Sequence, residues 1–321
     1  MPAPLRKRGF VITRLADVLC AQPERFDLLT HLNQAPTLPK RTVVIGAGGF
    51  VGRAIAERLK GQGADMLAVT RHEVDLLTGD AAQKLEALLR PDDVVVAAAA
   101  RAPCKDMVML IDNMVMTNAM LTAFAKVAVS HVVNISSDAV YPDAPVPLSE
   151  KVPAAPTTLH GVMHLAREIA LSGEVKAPLA ILRSSLLYGV DDPHNGYGPN
   201  RFRRQANAGE HIILFGDGEE RRDHVLIDDV ADIAVRVLAH RSCGILNIAT
   251  GTVHSFRSIA EKAIDLAASK SSIVARPRSG PIPHNGYRPF DVADTRTAFP
   301  DFAYTPLSEG MAQAQRAVAE A

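Results

Sequence analysis

Cysteine is scarce in this chain. There are three in 321 residues, Cys20, Cys104 and Cys243, far apart and without a C-x-x-C pair. That spacing argues against a disulfide framework or a zinc knuckle and favours a reducing, cytoplasmic compartment. No sign of charge is in excess either. Lys plus Arg and Asp plus Glu each total 35, so the formal net charge is zero. Nucleic acid is therefore not expected as the main partner, because phosphate binding needs a basic surplus. Long hydrophobic runs are also missing. The longest, VVVAAAA at 94–100, suits a buried strand and its turn, not the roughly 20 apolar residues of a membrane span. Arg6, Lys7 and Arg8 hint at a leader, but Arg14 and Asp17 interrupt the apolar stretch behind them. Neither export nor a membrane partner is expected.

What the chain does have is apolar content, 47% of residues, enough for a full α/β core. Residues 1–40 stand apart. Leu15, Val18 and Leu19, then Phe26, Leu28, Leu29 and Leu32, recur at helical spacing around Pro23, and Pro36 and Pro39 close the segment. This predicts a helical extension. From residue 41, β-rich runs at 42–46, 65–70, 92–100, 131–137 and 178–185 alternate with helical patterns at 53–63, 81–90, 112–129 and 159–172. Such alternation predicts a parallel sheet with helices on both faces. Two stretches, 189–200 and 270–291, are rich in Gly, Pro, Asn and His; loops this long usually shape a binding site or are mobile.

The first strand runs into GAGGFVG, residues 46–52. Gly46, Gly49 and Gly52 fit G-x-x-G-x-x-G; the commoner G-x-G-x-x-G would need glycine at Val51. Glycine allows the tight turn and lets phosphate approach the amides of a helix N-terminus. The motif follows a strand, opens a helix and begins a βαβ unit, so a dinucleotide is expected against Gly46, Gly49, Phe50, Val51 and Gly52. The second strand ends Val69-Thr70-Arg71, with no carboxylate at the tip. Arg71 suits a 2′-phosphate, favouring NADP over NAD, or is simply a solvated arginine. Asp75 is placed beside the adenine, and Ala98 and Ala99 leave room for it.

Taken in order, these residues resemble the extended short-chain dehydrogenases/reductases, the NAD(P)-dependent nucleotide-sugar epimerase/dehydratase group. The likeness covers roughly residues 41–310. It is carried by GAGGFVG, by Asn113 in its helix, by NISSDAVY (134–141), LRSSLLYG (182–189), FGDGEERRDHVLIDDVADI (215–233) and LNIATG (246–251). TRHEVDLLTGD (70–80) with RPDDVVVAAAA (90–100) is similar, more narrowly, to the dTDP-4-dehydrorhamnose reductase branch. The resemblance implies a Rossmann-type doubly wound parallel sheet with a smaller C-terminal substrate-binding lobe. Residues 1–40 would form the extension, 41–183 with 225–250 the NAD(P)-binding domain, and 184–224 with 251–321 the lobe. It implies hydride transfer at a carbon of a nucleotide sugar. It also implies a homodimer formed through helices 112–129 and 159–172.

One departure dominates. The family's helix carries P-x-x-x-Y-G-x-x-K-x-x-x-E, and here the register reads Pro156, His160, Gly161, His164, Glu168. Histidine replaces both the proton-transferring tyrosine and the lysine that binds ribose. A free tyrosine titrates near ~10 and a free histidine near ~6.5, so His160 needs no lysine to act near neutrality. Three readings stay open: an adapted acid/base site, a metal pair, and polar residues lining a cleft that binds cofactor without chemistry. Gly161 stands where a zinc protease has glutamate, so no metal is expected. By the same resemblance Ser137 joins His160 and His164 as catalytic, with His164 also at the ribose and Asn113 at the cofactor. Asp138, Tyr197, Asn200 and Arg222 are assigned to substrate, Arg222 through the nucleotide phosphate. Ala139 stands in place of a dehydratase glutamate.

Overall fold

The computed structural model describes residues 28–143 and 146–319. Its strands are β1 (Thr30–His31), β2 (Thr42–Ile45), β3 (Met66–Val69), β4 (Val94–Ala97), β5 (His131–Ser137), β6 (Leu179–Ser184), β7 (Leu186–Tyr188), β8 (Ile212–Phe215), β9 (Arg221–Leu226), β10 (Ser242–Ile248), β11 (Val253–Ser255), β12 (Ile273–Arg276) and β13 (Tyr287–Arg288). The helices are α1 (Phe50–Gly61), α2 (Ala81–Leu88), α3 (Met107–Lys126), α4 (Leu159–Glu174), α5 (Pro199–Asn207), α6 (Ile227–Ala239), α7 (Phe256–Leu266), α8 (Ala293–Ala298) and α9 (Leu307–Ala319).

The main sheet runs β1-β10-β6-β5-β4-β2-β3, parallel throughout except for β1. Every residue of TVVI in β2 and VVVA in β4 is buried, as strands covered on both faces require. Ile55 and Leu59 of α1 pack with Ile233 and Val237 of α6 on one face. Leu85 of α2 packs with Met120 and Ala123 of α3 on the other. From β2 the chain pairs β3 on one side, then crosses back to place β4 on the other. The turns after β2 and β4 therefore diverge and leave a crevice at their C-terminal ends, the switch point of a doubly wound sheet.

The second lobe is built on β9, flanked by β7, β11 and β13, with β8 and β12 as a separate parallel pair. Phe202, Leu214, Phe256 and Ile259 form its core. These strands were not expected from the sequence. RRDHVL in β9 is buried almost throughout, yet its charged residues hide any apolar run.

Three expectations need correction. Leu28, Leu29 and Leu32 are not on a helix: Thr30 and His31 pair antiparallel with Cys243 and Ser242 of β10, because an open sheet edge offers unpaired backbone groups that an extended segment satisfies. The rest of that expectation, residues 1–27, lies outside the described residues. Cys243 is disulfide-bonded and Cys104 is the free, buried thiol; spacing along a chain does not report distance in space. Finally, α3 begins five residues earlier than the 112 expected, where Asp106 Oδ1 accepts the Met109 N–H at 2.8 Å. Its mean hydropathy of 1.4 makes it long and apolar enough to cross a membrane by composition alone. Packing explains the composition: Met116, Met120 and Ala123 lie against the sheet, while Val108, Ile111 and Val115 remain exposed.

The core also holds a pH-sensitive group. His131 on β5 is fully buried, and its Nε2–H donates to Ser242 O at 2.6 Å. Burial lowers its pKa from 6.5 to about 4. The folded ring thus refuses a proton that the unfolded chain accepts. Its contribution is whole above pH 6.5 and is lost as pH falls toward about 4. Relative to His131→Leu, which cannot titrate, the native protein is expected to lose on the order of 3 kcal/mol across that window. Urea unfolding at stepped pH measures it; a stability difference that stays constant with pH contradicts the assignment.

Candidate active site

The glycine turn closes the switch-point crevice. Gly46 has φ +92, and a Cβ there would lie 2.5 Å from Ala99 N. A Cβ on Gly52 would lie 2.2 Å from Gly46 O. These two glycines let β2, α1 and the tip of β4 come together. Gly49 differs: an added Cβ would meet nothing closer than Gly46 O at 3.4 Å. It is the N-cap of α1, with no side-chain cap and no acidic residue in the first turn. The first amides of α1 thus have no side-chain cap, the condition in which a helix N-terminus can take an anion. Phe50 and Val51 pack their side chains into the core beside this turn, which leaves their amides for a ligand.

At the tip of β3 the structure corrects the sequence reading. Thr70 donates its N–H and its hydroxyl to Glu73 Oε2, at 2.8 and 2.5 Å. These bonds hold Glu73 at a pKa of about 2, so a carboxylate does sit there. Arg71 is largely exposed and its Nε donates to Asp75 Oδ2 at 3.0 Å. Asp75 Oδ1 accepts the Leu77 N–H. The tip of β3 thus holds both signs of charge.

The segment after β4 is fixed by three side chains. Arg167 of α4 donates to Ala97 O and Ala99 O at 2.6 and 2.5 Å. Asn113 of α3 donates to Arg101 O at 3.0 Å and accepts the Arg101 N–H at 2.9 Å. His160 of α4 accepts the Cys104 N–H on Nδ1 at 3.3 Å. Ala98 continues from β4 with its N–H on Ile45 O, so Ala98 and Ala99 form the wall opposite the glycine turn.

Helix α4 begins where Thr158 Oγ1 accepts the Gly161 N–H at 3.1 Å. A Cβ on Gly161 would lie 2.0 Å from Ala139 O and 2.6 Å from Pro156 Cβ. The helix therefore seats directly on the turn after β5, which brings His160 within reach of the Asp138 charge. The His160 and His164 rings meet edge to face, 4.7 Å between centroids. Burial lowers the pKa of His160; Asp138 opposes this and His194 adds to it. Burial lowers His164 further, helped by His160 and Arg167. Both rings are neutral near pH 7. Because Nδ1 of His160 accepts the Cys104 amide, its proton sits on Nε2. The Nδ1 of His164 is buried without a partner.

Ser137 Oγ accepts the Ala139 N–H at 3.2 Å and donates to Asp138 Oδ1 at 3.4 Å. Asp138 is buried and paired with Arg288 Nε at 2.8 Å. Arg222 is buried against Glu220, 3.3 Å away, which Arg278 shares. Asn200 accepts the Gly189 N–H and donates to Asp192. Tyr197 sits among Phe202, Phe215 and Phe256, and its hydroxyl accepts the Phe215 N–H. The polar atoms of these last two residues are engaged by the second lobe itself.

Residues 42–249 match the model of the NAD dependent epimerase/dehydratase family. The chain belongs to that family. It is 30% identical over 286 residues to the dTDP-6-deoxy-L-talose 4-dehydrogenase (NAD(P)(+)) of Kitasatospora kifunensis, covering 81% of this chain and 90% of that one. It is 29% identical over 262 residues to the UDP-glucose 4-epimerase of Mycolicibacterium smegmatis, covering 68% and 80%. Among solved structures, the UDP-glucose 4-epimerase of Thermus thermophilus in complex with NAD superposes with a TM-score of 0.75, at 22% identity, over 88% of this chain and 99% of that one. The family's doubly wound, Rossmann-type sheet and its glycine turn are both in place here.

Within the family's frame, two residues at this site escaped the sequence reading. Arg288, 150 positions from Asp138, neutralises that carboxylate. Arg167 reaches the end of β4 and the segment after it from 70 and 68 positions away. Only its place on the histidine face, seven residues after His160, could have drawn attention to it.

Proposed function

We propose that the protein is an NAD(P)-dependent oxidoreductase acting at carbon 4 of a nucleotide-activated hexose, with His160 facing the reacting oxygen. The position-4 chemistry is common to the names of its relatives, a 4-dehydrogenase and a 4-epimerase. The observation that carries the reading is the orientation of His160: neutral, fixed by the Cys104 amide, with Nε2–H left to donate.

The cofactor would rest its pyrophosphate on the turn of Gly46, Gly49 and Gly52 and on the Phe50 and Val51 amides. Its adenosine end would lie between Arg71, Asp75 and the Ala98–Ala99 wall. Bound there, the nicotinamide supplies or accepts the hydride. The protein's own groups manage the oxygen. His160 Nε2–H would donate to a C4 keto oxygen, joined by the Ser137 hydroxyl once it turns from its 3.4 Å contact with Asp138 Oδ1, and together they stabilise the negative charge that develops as it is reduced; the proton that completes the hydroxyl comes from solvent. A preorganised neutral donor of this kind contributes about 10²–10³ in rate. Arg222 would face the nucleotide phosphates.

A second reading is favoured by one observation. A buried neutral His164 gives the ribose no fixed charge, which suits a protein that binds NAD(P) without turnover. Incubation with NADH or NADPH and a set of dTDP- and UDP-linked 4-keto hexoses separates the two. Nicotinamide oxidation matched by new C4 hydroxyl is the expected result; nucleotide binding by calorimetry with no turnover would support the second reading instead.

The same proposal includes a homodimer. Val108, Ile111 and Val115 on α3 and Val162 and Ile169 on α4 expose apolar side chains on a helix pair that packs together, the kind of patch that marks an interface. Light scattering should give twice the mass of one chain.

A further inference from the structure

We propose that Arg167 is a positioning residue of this site, which clamps the tip of β4 and supplies the permanent positive charge that neither imidazole carries. The inference rests on the reading of His160 given above, and it starts from an imbalance. Three other buried arginines have carboxylates: Arg183 has Glu168 at 2.6 Å, Arg288 has Asp138 at 2.8 Å and Arg222 has Glu220 at 3.3 Å; Arg203, 6% exposed, donates to main-chain carbonyls of the second lobe, away from His160 and His164. Arg167 is 1% exposed, and among the described residues no carboxylate pairs with it. Its terminal nitrogens reach only two main-chain carbonyls, Ala97 O and Ala99 O, and its Nε is buried without a partner. An isolated buried guanidinium is costly, yet burial lowers its pKa only to about 10. It stays charged at neutral pH.

The position of that charge gives it consequences. His160, His164 and Arg167 occupy one face of α4 at i, i+4 and i+7. Long helical side chains lean toward the N-terminus, so the guanidinium lies back toward the rings. The carbonyls it holds belong to the wall opposite the glycine turn, where Ala99 meets Gly46. Two effects follow. The clamp fixes the crevice wall at the nucleotide end. The charge disfavours protonation of His164, which keeps a second cation from forming against the edge of the His160 ring. The charged and titratable groups facing the pair are Asp138, neutralised by Arg288, and His194 on the His160 side, and Arg167 on the His164 side. Asp138 pulls His160 toward the cation, burial and His194 oppose it, and the permanent charge of Arg167 acts on His164.

The test separates charge from clamp. Arg167→Lys keeps the charge and shortens the reach; Arg167→Met keeps bulk and loses the charge. In the full-length protein, histidine NMR titration follows the His160 and His164 rings whether or not any sugar turns over. In Arg167→Met the His164 midpoint is expected to rise by about one pH unit, while Arg167→Lys titrates like the native protein. Where turnover is measured, the acid-side inflection of kcat/KM should move with the ring. If Arg167→Met titrates as the native protein does and only its melting temperature falls, the residue is structural and the proposal fails, with the reading of His160 untouched. If the midpoint moves but no sugar is reduced by any variant or by the native protein, Arg167 is correctly assigned and the proposed reaction is what fails. Should Arg167→Met not fold, an unaltered His164 midpoint in Arg167→Gln overturns the proposal equally.

Discussion

Replacing His160 with alanine is expected to lower kcat for C4 reduction by about 10²–10³-fold, with nucleotide affinity nearly unchanged. The reason lies in how the ring is held. Nδ1 accepts the Cys104 N–H at 3.3 Å, and Gly161 lets the helix seat on the turn that carries Ser137. The donor is therefore preorganised and needs no proton from bulk water to act. Alanine removes it and leaves the glycine turn, far away in sequence, intact. His160→Gln, which retains an N–H donor on a flexible chain, should recover part of the loss. Calorimetry with NAD(H) and NADP(H) supplies the control: unchanged affinity with collapsed turnover is the expected pattern. A kcat within about threefold of native would remove His160 from the reaction. Restoring the family's pair with His160→Tyr and His164→Lys is not expected to raise the rate. The new ammonium would stand three residues from Arg167, and like charges on adjacent turns disfavour each other.

How much of this was legible in the sequence depended on the range of the interaction concerned. The apolar runs of β2 and β4 and the alternation with helices are local signals, and the sheet follows them. Gly46 and Gly52 are legible because a tight strand–helix turn leaves no room for a Cβ. The register from Pro156 to Glu168 was readable for the same kind of reason: Pro156 and Gly161 are a packing pair within one turn. What stayed hidden is set by contacts far apart in sequence. Asp138 looked available for substrate until Arg288 was found paired with it. Tyr197 and Asn200 looked like loop residues open to a ligand, but the second lobe engages their polar atoms. Glu73 folds back onto Thr70, a carboxylate two residues beyond the Val69-Thr70-Arg71 tip. β1 lies 213 positions from the Cys243 it pairs with, beyond the reach of any periodicity.

The largest stability effect is expected at Glu168. Its side chain is wholly buried, and it accepts Arg183 Nε and a terminal N–H at 3.0 and 2.6 Å together with the Ser136 hydroxyl at 2.5 Å. These bonds tie α4 to β5 and β6 at once, and so hold the helix that presents His160. Glu168→Ala leaves Arg183 charged and buried, and should cost about 3–5 kcal/mol in urea unfolding. The geometry also predicts what happens when both partners go. Glu168→Leu combined with Arg183→Met removes both charges and replaces them with apolar bulk, so stability should return to within about 1–2 kcal/mol of native, since burying an ion pair offsets its own attraction with desolvation. The Ser136 hydroxyl would then lack its acceptor, which accounts for the remainder. The double variant makes a further distinction. If it recovers stability but not turnover, the pair's tie sets the angle of α4 and hence the reach of His160. If it recovers both, Glu168 and Arg183 serve only to hold the helix down, and the alignment of the site comes from Gly161 seated on Ala139.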